Sequence, residues 1–276
     1  MAQVWDPQLY DRYRDERSRP FFDLLDRIEP ATRPRVLDLG CGTGELTQAL
    51  HRKLDARETV GVDNSEAMLE RSPALAGDGL SFECADLAIY RSEAPFDVVF
   101  SNAALQWVGQ HEALLGHLTE LVAPGGQLAF QVPFNHDEVQ HRTAIALGDE
   151  EPYRSARSAD PVNPATLQPQ DYARLLHRLG YREQDVLVRV YPHLLDSREA
   201  VIDWIRGTAL NAYKKILPAE LFERYLDEYR ARLLPALPDD RPFFFPFRRI
   251  FVWGRRQQPM TDTRPDWPTA PRRPKH

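Results

Sequence analysis

The turn at residues 38–44 carries the strongest chemical signal in this sequence. Its residues, Asp38-Leu39-Gly40-Cys41-Gly42-Thr43-Gly44, follow an apolar run and precede a helical pattern. Glycines let the backbone turn tightly and approach a ligand, and a helix start presents free N–H groups. A dinucleotide-binding turn would place its third glycine one position later, where Glu45 stands, and a carboxylate there repels pyrophosphate. The turn therefore favours S-adenosylmethionine, which has no phosphate and whose ammonium suits Asp38.

Two further aspartates stand where predicted strands end. Asp63 comes nineteen residues after Gly44, where a carboxylate can accept hydrogen bonds from both ribose hydroxyls. Asn64 and Met68 follow it, and we expect them to flank the adenine. Asp86 ends the next strand, and it either accepts a hydrogen bond from the adenine amino group or serves as a turn residue.

The run Ser101-Asn102-Ala103-Ala104-Leu105-Gln106-Trp107 follows the fourth predicted strand. Open α/β sheets bind ligands at the carboxyl ends of their strands, so this run lies where an acceptor would bind. It lacks the Asn-Pro-Pro-aromatic sequence of enzymes that methylate amino groups of nucleobases, which argues against a planar nitrogen acceptor. Trp107 either stacks near the sulfonium, where a cation over an aromatic face contributes about 0.5–2 kcal/mol, or lines the acceptor pocket, or packs in the core.

Short apolar runs alternating with helical patterns predict the elements that position these residues. This alternation predicts an α/β fold with a parallel sheet covered on both faces. The predicted strands are 35–39, 59–63, 80–85, 96–100, 127–132, 186–191 and 247–253. The predicted helices are 43–54, one capped by Ser65, 111–122, 171–179 and a run in 5–30 that Pro20 interrupts.

We expect one domain over residues 1–256. Residues 1–30 are predicted to form N-terminal cap helices. Residues 195–245 hold two predicted helices, the first capped by Ser197, which form either a lid over the site or a packing buttress. Residues 257–276 are rich in proline and arginine without apolar periodicity, and we expect a disordered tail.

Composition limits the partners and the compartment. The 276 residues contain 41 acidic and 35 basic side chains, which argues against a nucleic-acid partner. The first residues contain no basic region followed by an apolar core, so we expect no signal peptide, and no apolar run reaches membrane-spanning length. Its two cysteines, Cys41 and Cys84, have no metal-ligand spacing and fit a reducing compartment. We therefore expect a cytoplasmic protein, with a monomer favoured, that needs no metal and binds no membrane.

Several segments together resemble one known family. They are Trp5-Asp6-Pro7-Gln8-Leu9-Tyr10, Glu16-Arg17-Ser18-Arg19-Pro20, Asp38-Leu39-Gly40-Cys41-Gly42, Gly61-Val62-Asp63-Asn64-Ser65, Asn102-Ala103-Ala104-Leu105-Gln106-Trp107, Ile202-Asp203-Trp204 and Phe247-Arg248-Arg249-Ile250-Phe251. Together they resemble the trans-aconitate 2-methyltransferases, and the similarity spans most of residues 5–256. The Leu-Gln-Trp run also resembles malonyl-carrier-protein O-methyltransferases.

The resemblance implies a Rossmann-like class I methyltransferase sheet of seven strands, mostly parallel with the last antiparallel, and a helical lid insertion. It also implies S-adenosylmethionine as cofactor and methyl ester formation on a small polycarboxylate. With the residues argued above, the expected cofactor site comprises Asp38, Gly40, Cys41, Gly42, Gly44, Asp63, Asn64, Met68, Asp86, Leu87, Asn102 and Ala103.

A carboxylate acceptor determines the rest of the expected site. Carboxyl groups ionise near pH 4, so the acceptor needs no general base and we nominate no catalytic side chain. Arginine binds both oxygens of a carboxylate, and tyrosine can donate a hydrogen bond. The expected substrate residues are Tyr10, Tyr13, Arg17, Arg19, Gln106, Trp107, Trp204 and Arg249. A carrier-protein acceptor and a cofactor-binding module without catalysis remain the alternatives.

Overall fold

The structure is a computed structural model that describes residues 14–159, 166–207 and 209–258, with side chains from residue 18 onward. The strands are β1 (Arg35–Leu39), β2 (Glu58–Asp63), β3 (Leu80–Cys84), β4 (Phe96–Asn102), β5 (Val122–Pro133), β6 (Tyr181–Leu195) and β7 (Phe243–Arg256). The helices are α1 (Arg14–Leu25), α2 (Glu45–Lys53), α3 (Glu66–Leu69), α4 (His111–Leu121), α5 (Val139–Gly148), α6 (Tyr153–Ala156), α7 (Pro169–Arg178), α8 (Glu199–Arg206), α9 (Leu210–Ile216) and α10 (Ala219–Leu233). Short 3-10 turns occur at Ser72–Leu75, Leu105–Trp107 and Leu234–Ala236.

The strands form one sheet in the order β3-β2-β1-β4-β5-β7-β6. Strands β1 to β5 are parallel, and β7 is antiparallel to both β5 and β6. Residues 36–39 of β1 are all buried, as expected for a parallel strand covered on both faces. The predicted seven-stranded, mostly parallel Rossmann-like sheet with an antiparallel last strand is therefore confirmed.

Helices cover the two faces of the sheet with separate apolar clusters. On one face α1 and α2 pack against β1 and β4, through residues such as Phe21, Leu50 and Phe100. On the other face α4 and α7 contribute Leu115 and Leu176. The side chains discussed below at the ends of β4, β5 and β7 belong to the face that α1 covers.

Helix α1 continues through Pro20, so the predicted interruption there is wrong. A proline inside a helix costs about 3 kcal/mol because it removes a hydrogen bond and crowds the preceding turn. Phe21, Leu24 and Leu25 directly after it are each at most 2% exposed. Burying three such side chains contributes roughly 1.5–3 kcal/mol each, which outweighs the cost of the proline.

Strands β6 and β7 extend beyond the sheet as a two-stranded ribbon. Strand β5 pairs with β7 as far as Pro133 opposite Arg249, whereas β6 stays paired with β7 up to Leu195 opposite Phe243. At about 3.3 Å per residue the ribbon projects roughly 20 Å past the carboxyl ends of the parallel strands. The sequence predicted shorter strands, because proline is rare in paired strands and Pro192 and Pro246 face each other here.

The ribbon and the helices around it share a second core, which we call the lid cluster after the predicted lid or buttress; which of the two roles it has stays a prediction. It joins α8, α9 and α10 to α5 and α6, two helices that follow β5. The expectation of two helices in this region is wrong, because α9 lies between α8 and α10, and α5 and α6 pack against them. Arg198 occupies the N-cap of α8, one residue later than the predicted Ser197. None of the described helices combines the length and apolarity needed to cross a membrane.

Candidate functional site

The turn between β1 and α2 requires its glycines. Gly40, Gly42 and Gly44 have φ angles of 76°, 59° and 83°, in the left-handed region that side chains disfavour. A Cβ at Gly40 would lie 2.1 Å from the Cβ of Ala104, and one at Gly44 would lie 2.6 Å from the ring of Phe82. The turn is therefore held between β2–β3 and the segment after β4.

The backbone amides of this turn are used inside the protein. Gly40 N and Cys41 N both donate to the Val62 carbonyl, at 2.7 and 3.0 Å. Gly42 N donates to Asp63 Oδ2 at 2.9 Å, and Gly44 N donates to the Cys41 carbonyl at 3.1 Å. A phosphate-binding turn directs such amides at its ligand, so this arrangement suits a cofactor without phosphate.

Asp63 ends β2 and presents a carboxylate to the outside of the turn. Its Oδ2 accepts from Gly42 N, and its Oδ1 accepts from Ser65 N at 3.0 Å. Each carboxylate oxygen has two acceptor sites, so one remains on each for ligand hydroxyls. Ser65 caps α3 as predicted, accepting from Met68 N. The Met68 methyl group lies 3.2 Å from the place a Cβ on Gly42 would take, while Asn64 is exposed.

Asp38 lies beneath the turn, where only 3% of it is exposed. Its Oδ2 accepts a 2.6 Å hydrogen bond from the Thr47 hydroxyl of α2. Burial raises the pKa of the Asp38 carboxyl to about 7, and the neighbouring Asp63 adds to the increase, while the Thr47 hydrogen bond opposes it. A ligand cation here would therefore favour loss of the Asp38 proton.

The end of β3 supplies Asp86 and Leu87. Asp86 is exposed, and its Oδ1 accepts from Ala88 N at 2.9 Å, which is the turn contact weighed above. Leu87 is half-buried against the main apolar cluster. The adenine contact of Asp86 stays a prediction.

The segment after β4 makes a strained turn toward the same edge. Ala103 has a φ of 53°, and its N–H donates to the Gln131 carbonyl at 3.0 Å. Gln106 is 8% exposed, and its Nε2 donates to the Ala103 carbonyl at 2.6 Å. Trp107 is 46% exposed, which excludes the core role among its three alternatives.

A buried hydrogen-bond row joins three strands at this edge. Arg249 Nη1 on β7 donates to Gln131 Oε1 on β5 at 3.1 Å, and Gln131 Nε2 donates to Asn102 Oδ1 on β4 at 2.7 Å. The sequence pattern predicted Asn102 and Arg249 but not Gln131. The available signal was a polar residue directly after the apolar run Leu128-Ala129-Phe130 of a buried strand.

The two expected substrate arginines whose side chains are described lie beside the same aromatic ring. The guanidinium carbons of Arg19 and Arg249 lie 5.7 and 6.0 Å from the centre of the Tyr191 ring. Arg249 is 6% exposed, and its guanidinium also lies 4.9 Å from the Phe247 ring. Trp204 is 2% exposed within the lid cluster. Tyr10, Tyr13 and the side chain of Arg17 lie outside the described residues.

Comparison with solved structures identifies the fold. The chain superposes on the YcgJ protein from Bacillus subtilis with a TM-score of 0.60 at 14% identity, covering 87% of this chain and 98% of that one. It superposes on a putative methyltransferase from Haloferax volcanii, solved with its Trm112 activator, with a TM-score of 0.56 at 17% identity, covering 92% and 95%. Residues 10–185 also match the model of a methyltransferase domain family.

Full-length relatives are more specific. The trans-aconitate 2-methyltransferase of Deinococcus radiodurans is 40% identical over 91% of this chain and 98% of its own length. The enzyme of the same name from Streptomyces coelicolor is 40% identical over 93% of this chain and 88% of its own length. This chain belongs to the trans-aconitate 2-methyltransferase family.

The residues of this methyltransferase fit S-adenosylmethionine, which is its cofactor. The turn amides are engaged internally, the Asp63 carboxylate retains acceptor sites, and the buried Asp38 suits a cation. The described residues contain no group of side chains arranged to hold a metal ion.

His111 of the methyltransferase lies close to the acceptor segment but has no free position for base catalysis. Its Nε2 is 2.9 Å from the Leu105 carbonyl, and its Nδ1 is 2.6 Å from the Tyr172 hydroxyl. The carbonyl requires a proton on Nε2, so Nδ1 accepts from Tyr172. Burial lowers the pKa of His111, which keeps the ring neutral. Its role is to support the segment after β4.

Proposed function

We propose that this methyltransferase esterifies a carboxylate of trans-aconitate. The observation that carries the proposal is the Arg249 guanidinium, buried at the carboxyl end of the sheet and linked through Gln131 to Asn102. A buried cation at this edge favours an anionic acceptor, and its planar donors match a carboxylate. Relatives about 40% identical over nearly the whole chain carry the name trans-aconitate 2-methyltransferase, which supports the same acid here.

The protein promotes this reaction by positioning the two reactants, and no proton transfer is needed. The acceptor carboxylate is ionised at neutral pH, so no base is required. When bound, the cofactor would supply the methyl group to one carboxylate oxygen with its sulfur as the leaving group, so that the products would be S-adenosylhomocysteine and a methyl ester whose two other carboxylates stay ionised. Holding two reactants in line contributes about 7–11 kcal/mol in model systems.

Each side chain then has a defined task. Asp63 accepts hydrogen bonds from the ribose hydroxyls, Asp38 faces the cofactor ammonium, and Arg19 and Arg249 bind carboxylates that do not react. The opposite charges of sulfonium and carboxylate cancel during transfer, so excluding water favours the reaction. The lid cluster at the end of the ribbon provides that exclusion, and we infer a cytoplasmic enzyme acting on a dissolved acid.

An acceptor panel tests the proposal. Purified enzyme with methyl-labelled cofactor is assayed against trans-aconitate, cis-aconitate, citrate, malonyl carrier protein and tRNA. We expect transfer to trans-aconitate with the highest kcat/KM, and a product from which mild alkali releases labelled methanol. Faster transfer to the carrier protein would reject the small-acid acceptor, and an alkali-stable product would reject the ester.

A further inference from the structure

The row Arg249–Gln131–Asn102 has a direction that chemistry fixes. A guanidinium has only donors, so the amide of Gln131 must turn its oxygen toward Arg249. The NH₂ group of Gln131 then faces β4, and Asn102 must meet it with Oδ1. One cation thereby selects one of two amide orientations at each of two side chains.

Burial makes this selection strict. Gln131 is 0% exposed and Arg249 is 6% exposed, so a reversed amide would leave polar atoms unpaired away from water. The main chain of Gln131 also accepts from Ala103 N, the residue directly after Asn102. Gln131 thus holds both the side chain of Asn102 and the turn that follows it.

We propose that Gln131 is a positioning residue that holds Asn102 with its NH₂ group directed at the acceptor carboxylate. Asn102 is the last residue of β4, and its oxygen is engaged by Gln131, so it offers donors to the ligand side. A carboxylate has only acceptors, whereas a neutral hydroxyl or amino group also carries hydrogens for which these donors offer no acceptor. The row therefore selects anionic oxygen as the methyl acceptor. This inference rests on the proposed esterification and adds the residue that sets its selectivity.

Gln131→Glu tests the direction of the row with almost no change in shape. A glutamate at this position accepts from Arg249 and can only accept from Asn102, so Asn102 must turn its oxygen toward the acid. We expect kcat/KM for trans-aconitate to fall about 100-fold, the size of one lost hydrogen bond to a charged group. The sequence placed Asn102 in the expected cofactor site, whereas this proposal directs its side chain at the acceptor. The affinity for S-adenosylhomocysteine should therefore change less than about threefold, because the turn at 38–44 is untouched.

A double-mutant cycle separates this effect from neutralisation of the Arg249 guanidinium by the new carboxylate. In an Asn102→Ala background, Gln131→Glu should cost less than about fivefold, because no amide remains to be reversed. A loss as large as in the wild-type background would show that the effect passes through Arg249 alone, and would overturn the proposal.

Gln127→Leu is the matched control, since Gln127 is another buried glutamine of β5, hydrogen-bonded to Glu29 and Trp253 at the other end of the strand. It should lower the melting temperature and leave kcat and KM unchanged.

A second readout does not depend on turnover. The side-chain amide signal of Asn102, identified by its loss in Asn102→Ala, should shift when trans-aconitate is added to the enzyme with S-adenosylhomocysteine. That shift should be absent in Gln131→Glu. An Asn102 amide signal that does not shift when the acid is added to the wild type would overturn the proposal.

The proposed substrate and the proposed role of Gln131 can fail separately. If another acid is methylated instead, the proposed substrate is wrong, while the same double-mutant cycle, run with that acid, still tests the role of Gln131. If only an amino or hydroxyl acceptor is methylated, both proposals fail.

Discussion

Single residues of the cofactor turn are set by the space and charge around them. Asp38 is buried with a pKa of about 7, far above that of an exposed aspartate. In the free enzyme the folded state binds a proton there that the unfolded state releases. Between the unfolded value of about 4 and pH 7, this group therefore makes the fold less stable as the pH rises.

We predict that cofactor binding depends on this proton. If the ionised Asp38 faces the ammonium of S-adenosylmethionine, protonation competes with binding, so the dissociation constant should be roughly tenfold higher at pH 6 than at pH 8. Titration calorimetry at the two pH values measures the change. Asp38→Asn should bind more weakly and remove most of the pH dependence, and an unchanged pH profile in that variant would assign the proton elsewhere.

Gly40→Ala should disrupt the turn. The new methyl group would lie 2.1 Å from the Ala104 Cβ at a φ of 76°. Overpacking together with a left-handed backbone costs about 2–4 kcal/mol, and binding of S-adenosylhomocysteine should be lost. Gly116→Ala is the control, because Gly116 lies in α4 with open space around its Cα and should gain about 1 kcal/mol. Urea unfolding and calorimetry report both effects, and a Gly40→Ala protein with normal affinity would contradict this account.

The sequence predicted most of the turn side of the site but only part of the acceptor side. Glycine spacing and the aspartates at strand ends follow local rules, so Gly40, Asp63 and Ser65 could be placed from sequence alone. Gln131 could not, because its partners come from β4 and β7, 29 and 118 residues away. Contacts between strands that are distant in sequence need the register of the whole sheet.

At the scale of elements, the segment after β4 depends on α4 and α7 for support. His111 at the start of α4 bonds Leu105, and Tyr172 of α7 bonds His111. This arrangement works only with a neutral imidazole, because a protonated ring would lose the acceptor that faces Tyr172.

Acidification should weaken this support. The folded pKa of His111 is lowered by burial, so its contribution to stability is complete above pH 6.5 and is lost as the pH falls from 6.5 toward the folded value. We expect the stability difference between the wild type and His111→Asn to be larger at pH 7.5 than at pH 5.5. Urea unfolding of both proteins at the two pH values gives this difference. Because both proteins contain Asp38, the opposite pH dependence of that residue cancels in the comparison. If the stability difference between the wild type and His111→Asn were instead larger at pH 5.5, His111 would be protonated in the folded protein, contrary to the assignment above.

Within the lid cluster, tyrosine hydroxyls of α10 bind carbonyls of α5, and Tyr225→Phe should loosen this contact. The lost hydrogen bond to the Ala144 carbonyl is worth about 1 kcal/mol. Amide exchange in α5 and α10 should accelerate, and the KM for the acid should rise while affinity for S-adenosylhomocysteine stays constant. Equal loss of cofactor affinity would show that the cluster supports the whole sheet rather than covering the acceptor.

For the molecule as a whole, the alternation of apolar runs was enough to predict an α/β fold with a parallel sheet covered on both faces, whereas the antiparallel last strand was implied only by the family resemblance. The alternation was not enough for the lid cluster, where α5 and α6 follow β5 while α8 to α10 lie between β6 and β7. The hydrophobic periodicity of each insertion shows that it has an apolar face, but it does not show that the two insertions pack against each other. The ribbon was likewise predicted too short, because prolines at facing positions concealed its pairing.

The class of cofactor that this protein binds should be measurable from the change in its thermal stability on ligand addition. A ligand at 100 times its dissociation constant raises the free energy of unfolding by about 2.7 kcal/mol. S-adenosylhomocysteine should therefore raise the melting temperature by several degrees, and NAD at the same concentration should leave it unchanged. Thermal denaturation followed by circular dichroism measures both, and stabilisation by NAD alone would refute the interpretation of the turn.

The ribbon of β6 and β7 has a consequence for how such enzymes diversify. Both of its strands are anchored in the sheet, and the helices at its tip enter and leave the chain at Leu195 and Phe243, opposite each other. Those helices can be lengthened, shortened or replaced without shifting the register of the sheet, and the turn at 38–44 follows β1, which lies three strands away from β7. An ancestral sheet could thus retain one methyl donor and its carboxylate-binding residues while the helices that enclose the rest of the acid change. Grafting the tip of one relative onto another should therefore alter which carboxylic acids are accepted, without changing the preference for a carboxylate.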